Sequence, residues 1–245
     1  MYRTVIHQPR KGSSALGDER PLGGGIVGDL TQLAAVSYIR IEQNVEFDIR
    51  SGIGSGNTYT VQDKNGEQLF SVIETTTCCC RVCCGPSRSS NLMFLGQNGV
   101  PALQLKRHGC RLYCCVPDIV INDAFDEIVG SIKGPCSPSR CCMDLQFDVS
   151  RDKNLFFNYS NKFFVSFSPH SIVDVMILPL IIQILGADGR KVKGSIVKSW
   201  EPTDDTVNTD HDIFELYFPS ESSVQDKALM IGGLFLVNFL YFEMS

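Results

Sequence analysis

From Ser37 onward the chain alternates apolar and polar residues over short runs. Tyr38-Ile39-Arg40-Ile41-Glu42 and Val45-Glu46-Phe47-Asp48-Ile49 are the first two, and a period of two is the signature of a half-buried strand. Three later stretches each carry a turn signal between two such runs: NTYTVQDKNGEQLFSVI with Asn65-Gly66, NLMFLGQNGVPALQLKR with Asn98-Gly99, and LIIQILGADGRKVKGSIVKSW with Asp188-Gly189. Asn-Gly and Asp-Gly mark two-residue hairpins in which both central residues take φ > 0. A weaker turn falls at Arg151–Asn154. The repeated meander predicts a mainly β chain whose antiparallel strands form a closed or nearly closed barrel, with two face-packed sheets as the alternative.

Both ends break the alternation. Residues 1–28 hold six glycines, Pro9 and Pro21 and almost no periodic apolar positions, so a disordered tail is expected there. The folded domain is then 29–245, opening on a short helix Asp29–Val36 capped by Asp29. At the other end a hydrophobic helix is expected over 224–243. Ala228–Phe242, ALMIGGLFLVNFLYF, carries no charge over 15 residues and is apolar on every side apart from Asn238. Such a helix is either a core element or a membrane segment. At 1.5 Å per residue it is about 22 Å long, short of the ~30 Å hydrocarbon core. The buried core is therefore the expected place.

Composition narrows the function classes. The chain has 245 residues, 43% hydrophobic and 20% charged, with a net charge of −5. An acidic balance supplies no global field toward nucleic acid or anionic lipid, so such contact falls to local basic patches or a bridging cation. MYRTVIHQPRKGSS has no apolar run, Tyr2 stands where N-myristoylation needs glycine, and the terminal FEMS is not a prenylation box. Eleven cysteines without a leader point to a reducing, cytosol-facing location. Four scattered histidines, with no nucleophile motif, HExxH or phosphate-binding glycine loop, argue against an enzyme.

The densest chemistry is ETTTCCCRVCCGPSRSS, where Cys78, Cys79, Cys80, Cys83 and Cys84 fall within seven residues. Adjacent cysteines cannot bridge each other without strain. A soft-metal site, small apolar thiols in a reducing hairpin, and S-acylation remain open. Zinc would need a second cluster, drawn from Cys110 or Cys136, so reduced buried thiols are the expected state.

The block CCRVCCGPSR, the strand pair NLMFLGQNGVPALQL, GSIVKSWEPT, and the run Thr209–Glu243 together resemble the phospholipid scramblase family, over roughly residues 30–243. The resemblance implies a tubby C-terminal-like fold: an antiparallel barrel of about twelve strands around a buried hydrophobic C-terminal helix. It implies calcium-responsive, ATP-independent movement of phospholipids between leaflets at the cytoplasmic face of the plasma membrane, with a cytosolic pool. Its implied partners are phospholipid membranes and anionic lipids. The alternative is a membrane-tethered lipid-binding regulator or adaptor without transport activity.

Several residues acquire roles through that resemblance. Cys110, Cys114 and Cys115 stand where the family carries palmitate acceptors, just after Lys106-Arg107-His108, a patch able to meet anionic headgroups. Asp210 and Asp212 match two aspartates of the family's calcium-responsive segment, with Glu221 in place of a third. Opened at Asp210, an EF-hand register puts Phe214 and Glu215 where a ligand and the turn glycine belong, so a weak calcium site is the expectation. Ala228, Ile231, Leu234, Phe235, Asn238 and Phe242 are the helix positions that face either lipid or core. Gly194–Trp200 matches a nuclear import segment of some relatives. Its basic residues, with the upstream flank, are Arg190, Lys191, Lys193 and Lys198, so a strand end is expected rather than a nucleic-acid or import surface. One helix with a single Asn238 cannot enclose a polar path, so lipid movement implies homo-oligomers or local bilayer distortion.

Overall fold

A computed structural model describes residues 30–44, 57–76, 88–109, 116–134, 144–150, 161–166, 180–185, 192–201 and 211–242. A short 3-10 turn, Leu30–Leu33, stands where a helix was expected. Twelve strands follow: β1 (Tyr38–Asn44), β2 (Thr58–Gln62), β3 (Gln68–Thr75), β4 (Ser90–Leu95), β5 (Pro101–Arg107), β6 (Asp118–Asp123), β7 (Ile128–Lys133), β8 (Asp144–Ser150), β9 (Asn161–Ser166), β10 (Leu180–Leu185), β11 (Val192–Glu201) and β12 (His211–Tyr217). They form one antiparallel sheet in the order β10-β11-β12-β1-β2-β3-β4-β5-β6-β7-β8-β9. The hydrogen-bonded ladder ends at β9 and β10, which lie side by side without a paired register among the described residues. The expected closed barrel is thus corrected to an open sheet.

An up-and-down sheet sends alternate connections to opposite ends. Turns β2–β3, β4–β5 and β6–β7 share one end, here the turn rim. The connections after β1, β3, β5, β7, β9 and β11 leave from the other, the loop rim. The turns correct a second expectation. Gly66 N–H donates to Asp63 O at 3.1 Å and Asp63 N–H to Glu67 O at 2.9 Å, which puts Lys64 and Asn65 at the corners and Gly66 alone at φ +81°. Gly96 to Val100 repeats this pattern with Gly99 at φ +69°. These are three-residue hairpins with a bulge at the left-handed residue, not two-residue turns. Asp123 to Glu127 adds a third copy with Asp126 in glycine's place at φ +62°. The hairpin at Asp188-Gly189, the turn at Arg151–Asn154 and the run Val45–Ile49 lie outside the described residues, as do 1–28.

The C-terminal helix α1 (Val224–Val237) continues as a π turn, Asn238–Phe242. Ser223 caps it: its Oγ accepts from Asp226 N–H at 3.1 Å, and Asp226 Oδ2 accepts from Ser223 N–H at 3.2 Å. That reciprocal box satisfies two of the orphan donors of the first turn. Every residue from Lys227 to Phe239 is buried. The sheet curls around the helix. Tyr59 of β2 and Phe94 of β4 meet Phe235 edge-on, with centroids 5.1 and 5.8 Å away. On the opposite side Gly232 lies so close to β6 that a Cβ there would sit 2.9 Å from Ile121 Cγ1. Among the described residues no helix is long and apolar enough to cross a membrane.

Candidate functional site at the loop rim

The helix runs from the turn rim to the loop rim, and its two ends differ chemically. At its start Lys227 Nζ donates to the carbonyls of Leu33 (2.7 Å) and Ala34 (2.9 Å), just before β1. Burial holds its ammonium below the ordinary lysine range. At its end the helix meets charge. The inward register of β3 is Phe70, Val72, then Glu74; that of β5 is Leu103, Leu105, then Arg107; that of β11 is Ile196, then Lys198. Period two continues toward the loop rim, but the last inward position of β3 and of β5, and the one after Ile196 on β11, is ionic.

These charges are arranged around the aromatic end of the helix. Arg88 Nη2 lies 2.8 Å from Glu74 Oε1, and its Nε donates to the same oxygen at 3.0 Å, with both side chains buried. Arg88 and Arg107 set their guanidinium carbons 5.7 and 4.7 Å from the Phe239 ring centre. Lys198 Nζ pairs with Asp212 Oδ1 at 2.8 Å and lies 4.3 Å from the Phe242 ring centre. Cations against ring faces are attracted by the ring quadrupole, more strongly when desolvated. Asn238 is buried beside them, and its Oδ1 has no hydrogen-bond partner among the described residues. Of the other expected helix positions, Ala228, Ile231, Leu234 and Phe235 are buried in the core and Phe242 is half-buried.

Beside this cluster the ends of β3, β4 and β5 line an open cavity of about 560 Å³, which includes Lys106, Arg107 and His108. The expected basic patch is divided between the faces of β5, with Arg107 inward and Lys106 outward. Lys106 Nζ lies 2.6 Å from Asp126 Oδ1, and His108 Nδ1 lies 3.0 Å from Asp118 Oδ2.

The remaining expected residues divide by rim. Cys78, Cys79, Cys80, Cys83 and Cys84 fall between β3 and β4, Cys110, Cys114 and Cys115 between β5 and β6, and Cys136 between β7 and β8. All lie outside the described residues, but the strand ends bordering their segments share the loop rim. Asp210 is also outside. Asp212 opens β12 at the loop rim, whereas exposed Glu221 follows the other end of that strand. Asp212 to Tyr217 alone spans about 17 Å of strand. Asp212 and Glu221 therefore do not converge on one cation, and Asp212 is paired with Lys198. Among the described residues no three acidic, histidine or cysteine side chains gather around a common point. Lys198 is buried and presents no charge to an import receptor or nucleic acid.

A family model described as Scramblase matches residues 28–244. The chain belongs to the scramblase family. Its relatives include phospholipid scramblase 2 of Bos taurus, 26% identical over 88% of this chain and 72% of that protein. Human phospholipid scramblase 1 is 28% identical over 87% of this chain and 65% of its own length. Human phospholipid scramblase family member 5 is 23% identical over 88% of this chain and 78% of its own. No solved structure matches. In this scramblase-family chain the residues sequence reasoning missed are Glu74 and Arg88 as a pair and Lys198 with Asp212 as another. The available signal was the strand register itself, which carries Glu74, Arg107 and Lys198 inward.

Proposed function

We propose that this chain is a phospholipid scramblase, moving phospholipids between leaflets without ATP from the cytoplasmic face of the plasma membrane. The supporting observation is the scramblase match across residues 28–244. Acylation at Cys110, Cys114 or Cys115 would tether the loop rim to the bilayer, since two hydrophobic signals make an anchor stable. The spacing of Asp212 and Glu221 gives no single calcium site, so a calcium response would draw on other ligands. The buried helix offers no spanning segment while it stays in place. Lipid movement then comes from local bilayer distortion, or from oligomers whose rims act together.

The second reading is a membrane-tethered lipid-binding regulator, favoured by the burial of the whole helix from Lys227 to Phe239. The experiment is dithionite quenching of NBD-labelled lipid in liposomes carrying the full chain, without ATP, with and without calcium, across a series of protein densities. Flux rising with the square or a higher power of density supports scrambling by assemblies. Strictly linear flux removes the oligomer mechanism. Absent flux from folded, vesicle-bound protein sinks the scramblase reading and leaves the regulator.

A further inference from the structure

Two hairpins of the turn rim carry charge mainly of one sign. The β2–β3 hairpin presents Asp63 and Glu67, and the β6–β7 hairpin presents Asp123, Asp126 and Glu127. Against these carboxylates stand Lys64 and Lys106, the second already 2.6 Å from Asp126. That pair is exposed, at 39% and 67%, and exposed pairs hold weakly.

Two further features set the β6–β7 hairpin apart. Phe125 at its corner is 70% exposed, the most exposed large hydrophobic side chain among the described residues. Asn122 is 4% exposed, and its amide is turned into the hairpin, with Nδ2 donating to Asp126 Oδ1 at 2.6 Å. Its Oδ1 is buried and has no hydrogen-bond partner among the described residues, an unfavourable state for an amide oxygen. A ligand that answers all of this brings a cation with several N–H donors and an apolar side chain close by.

This chain contains such a segment. Residues 1–17, which lie outside the described residues, contain Arg3, Arg10 and Lys11 and no carboxylate, with Val5 and Ile6 between. The segment joins the fold at the same rim. Leu33 is fully buried, and the Leu33 and Ala34 carbonyls accept from Lys227 Nζ, which pins the entry to β1. Lys11 precedes Leu30 by 19 residues, a length that reaches at most about 60 Å. The strand spacings from β1 to β6 amount to about 24 Å along the sheet. Reach is ample.

We propose that the turn rim, centred on the β6–β7 hairpin, is the docking surface for the basic segment 1–17 of this same chain. Arg10 and Lys11 meet Asp123, Asp126 and Glu127, and a guanidinium N–H supplies the donor that Asn122 Oδ1 lacks. Val5 and Ile6 cover Phe125. The tether sets an effective concentration on the order of millimolar, so a few exposed ion pairs are enough to hold the segment. At a bilayer the contact is regulatory, because docked cations are withheld from anionic headgroups. That consequence rests on the proposed function; the docking does not.

The test is timed trypsin cleavage after Arg10 and Lys11 in the full chain, without lipid, read by mass spectrometry. The reference is the free peptide MYRTVIHQPRKGSSALG. At low ionic strength the full chain is expected to be cut about tenfold more slowly, the scale of a few exposed ion pairs acting together. In about 0.5 M salt the two rates should meet, because such pairs are screened. Asp123→Asn with Glu127→Gln is expected to remove most of the protection. Asparagine at 123 keeps the oxygen that accepts from the Phe125 and Glu127 N–H groups, so the turn is retained. Phe125→Ala is expected to remove a smaller part. Glu42→Gln with Asp118→Asn, the same change of charge toward the loop rim, should leave protection intact. Wild-type cleavage at the peptide's rate, equal effects of the two double variants, or protection that survives high salt overturns the proposal. Protection that grows with protein concentration overturns the self-contact and assigns the rim to the segment of a second copy. Lipid flux plays no part in the readout, so the docking and the scramblase reading can fail separately.

Discussion

The two ends of the buried helix are held by opposite logic. At the turn rim one lysine ammonium reaches two backbone carbonyls, and the neighbouring connections are tight hairpins closed by their own backbone. At the loop rim two aromatic rings sit among three cations, with Arg88 on Glu74 and Lys198 on Asp212. The first arrangement is local and satisfies backbone groups wherever the chain turns. The second joins β3, β5, β11 and β12, strands far apart in sequence, through the helix end. Buried ion pairs contribute little net stability when complete but leave a large penalty when halved. Damage at the loop rim should therefore be large and long-ranged, and damage at the turn rim small and local.

The largest effect is expected from Arg88→Ala, which leaves Glu74, with a side chain 0% exposed, without its guanidinium. Destabilisation of about 3–5 kcal/mol is expected, read from denaturant midpoints. Arg88→Met with Glu74→Leu should recover most of it, because an apolar pair of similar volume removes both desolvated charges. A loss below about 1 kcal/mol in the single variant would mean that the rim behaves as surface. Asp212→Asn comes next, at about 3 kcal/mol, by leaving Lys198 buried against a neutral partner. Since Asp212 is held by Lys198 and does not converge with Glu221, calcium affinity measured by titration calorimetry should be the same in wild type and Asp212→Asn. A clear loss of calcium binding in that variant would restore Asp212 as a ligand.

The same contrast explains what the sequence disclosed. Alternation located the hairpins, and Gly66 and Gly99 marked two turns, although the turns are three-residue bulges rather than two-residue ones. The third copy was invisible because Asp126 occupies the left-handed position that glycine usually marks. The helix was legible from fifteen uncharged residues, and the structure adds the Ser223–Asp226 capping box at its start. The charged cluster was not legible, for a physical reason. Pattern reading assigns a charged residue to solvent, whereas Glu74, Arg107 and Lys198 follow apolar residues in the inward register. Only the helix end supplies the rings that Arg107 and Lys198 meet. Pairing over such distances is a property of the assembled sheet.

Lys227 gives the helix's other end its pH signature. Burial lowers its pKa from 10.5, so between the folded and unfolded values the unfolded chain binds more protons. Stability contributed by this group therefore rises with pH across that window and is at its lowest when the ammonium is charged in both states. Tyr38 and Tyr217 act in the opposite sense, because burial, reinforced by Glu215, raises both. The measurement is accordingly a difference. Stability of wild type minus Lys227→Met, followed by urea unfolding toward alkaline pH, should rise as the window is crossed. At neutral pH the substitution should lose about 1–2 kcal/mol by withdrawing the donor to the Ala34 carbonyl. A flat difference would place the ammonium in water rather than in the core.

The smallest effects belong to the hairpins, and there backbone conformation alone should decide. Gly66 is at φ +81°, and an added Cβ would meet nothing within 4 Å, so Gly66→Ala introduces strain without a clash. Destabilisation of about 1 kcal/mol is expected, as for other left-handed glycines. Asp126 occupies the equivalent position in the β6–β7 hairpin, so Asp126→Gly relieves that strain. It also removes the carboxylate that accepts from Lys106 and Asn122, each at 2.6 Å. Because the carboxylate is exposed, the two changes should nearly cancel, and the urea midpoint should move by less than half the Gly66→Ala shift. A larger fall would mean that the Lys106 contact reaches the loop rim through β5. The two ends of the sheet would then be coupled, and the division between a local rim and a long-range rim would fail at that strand.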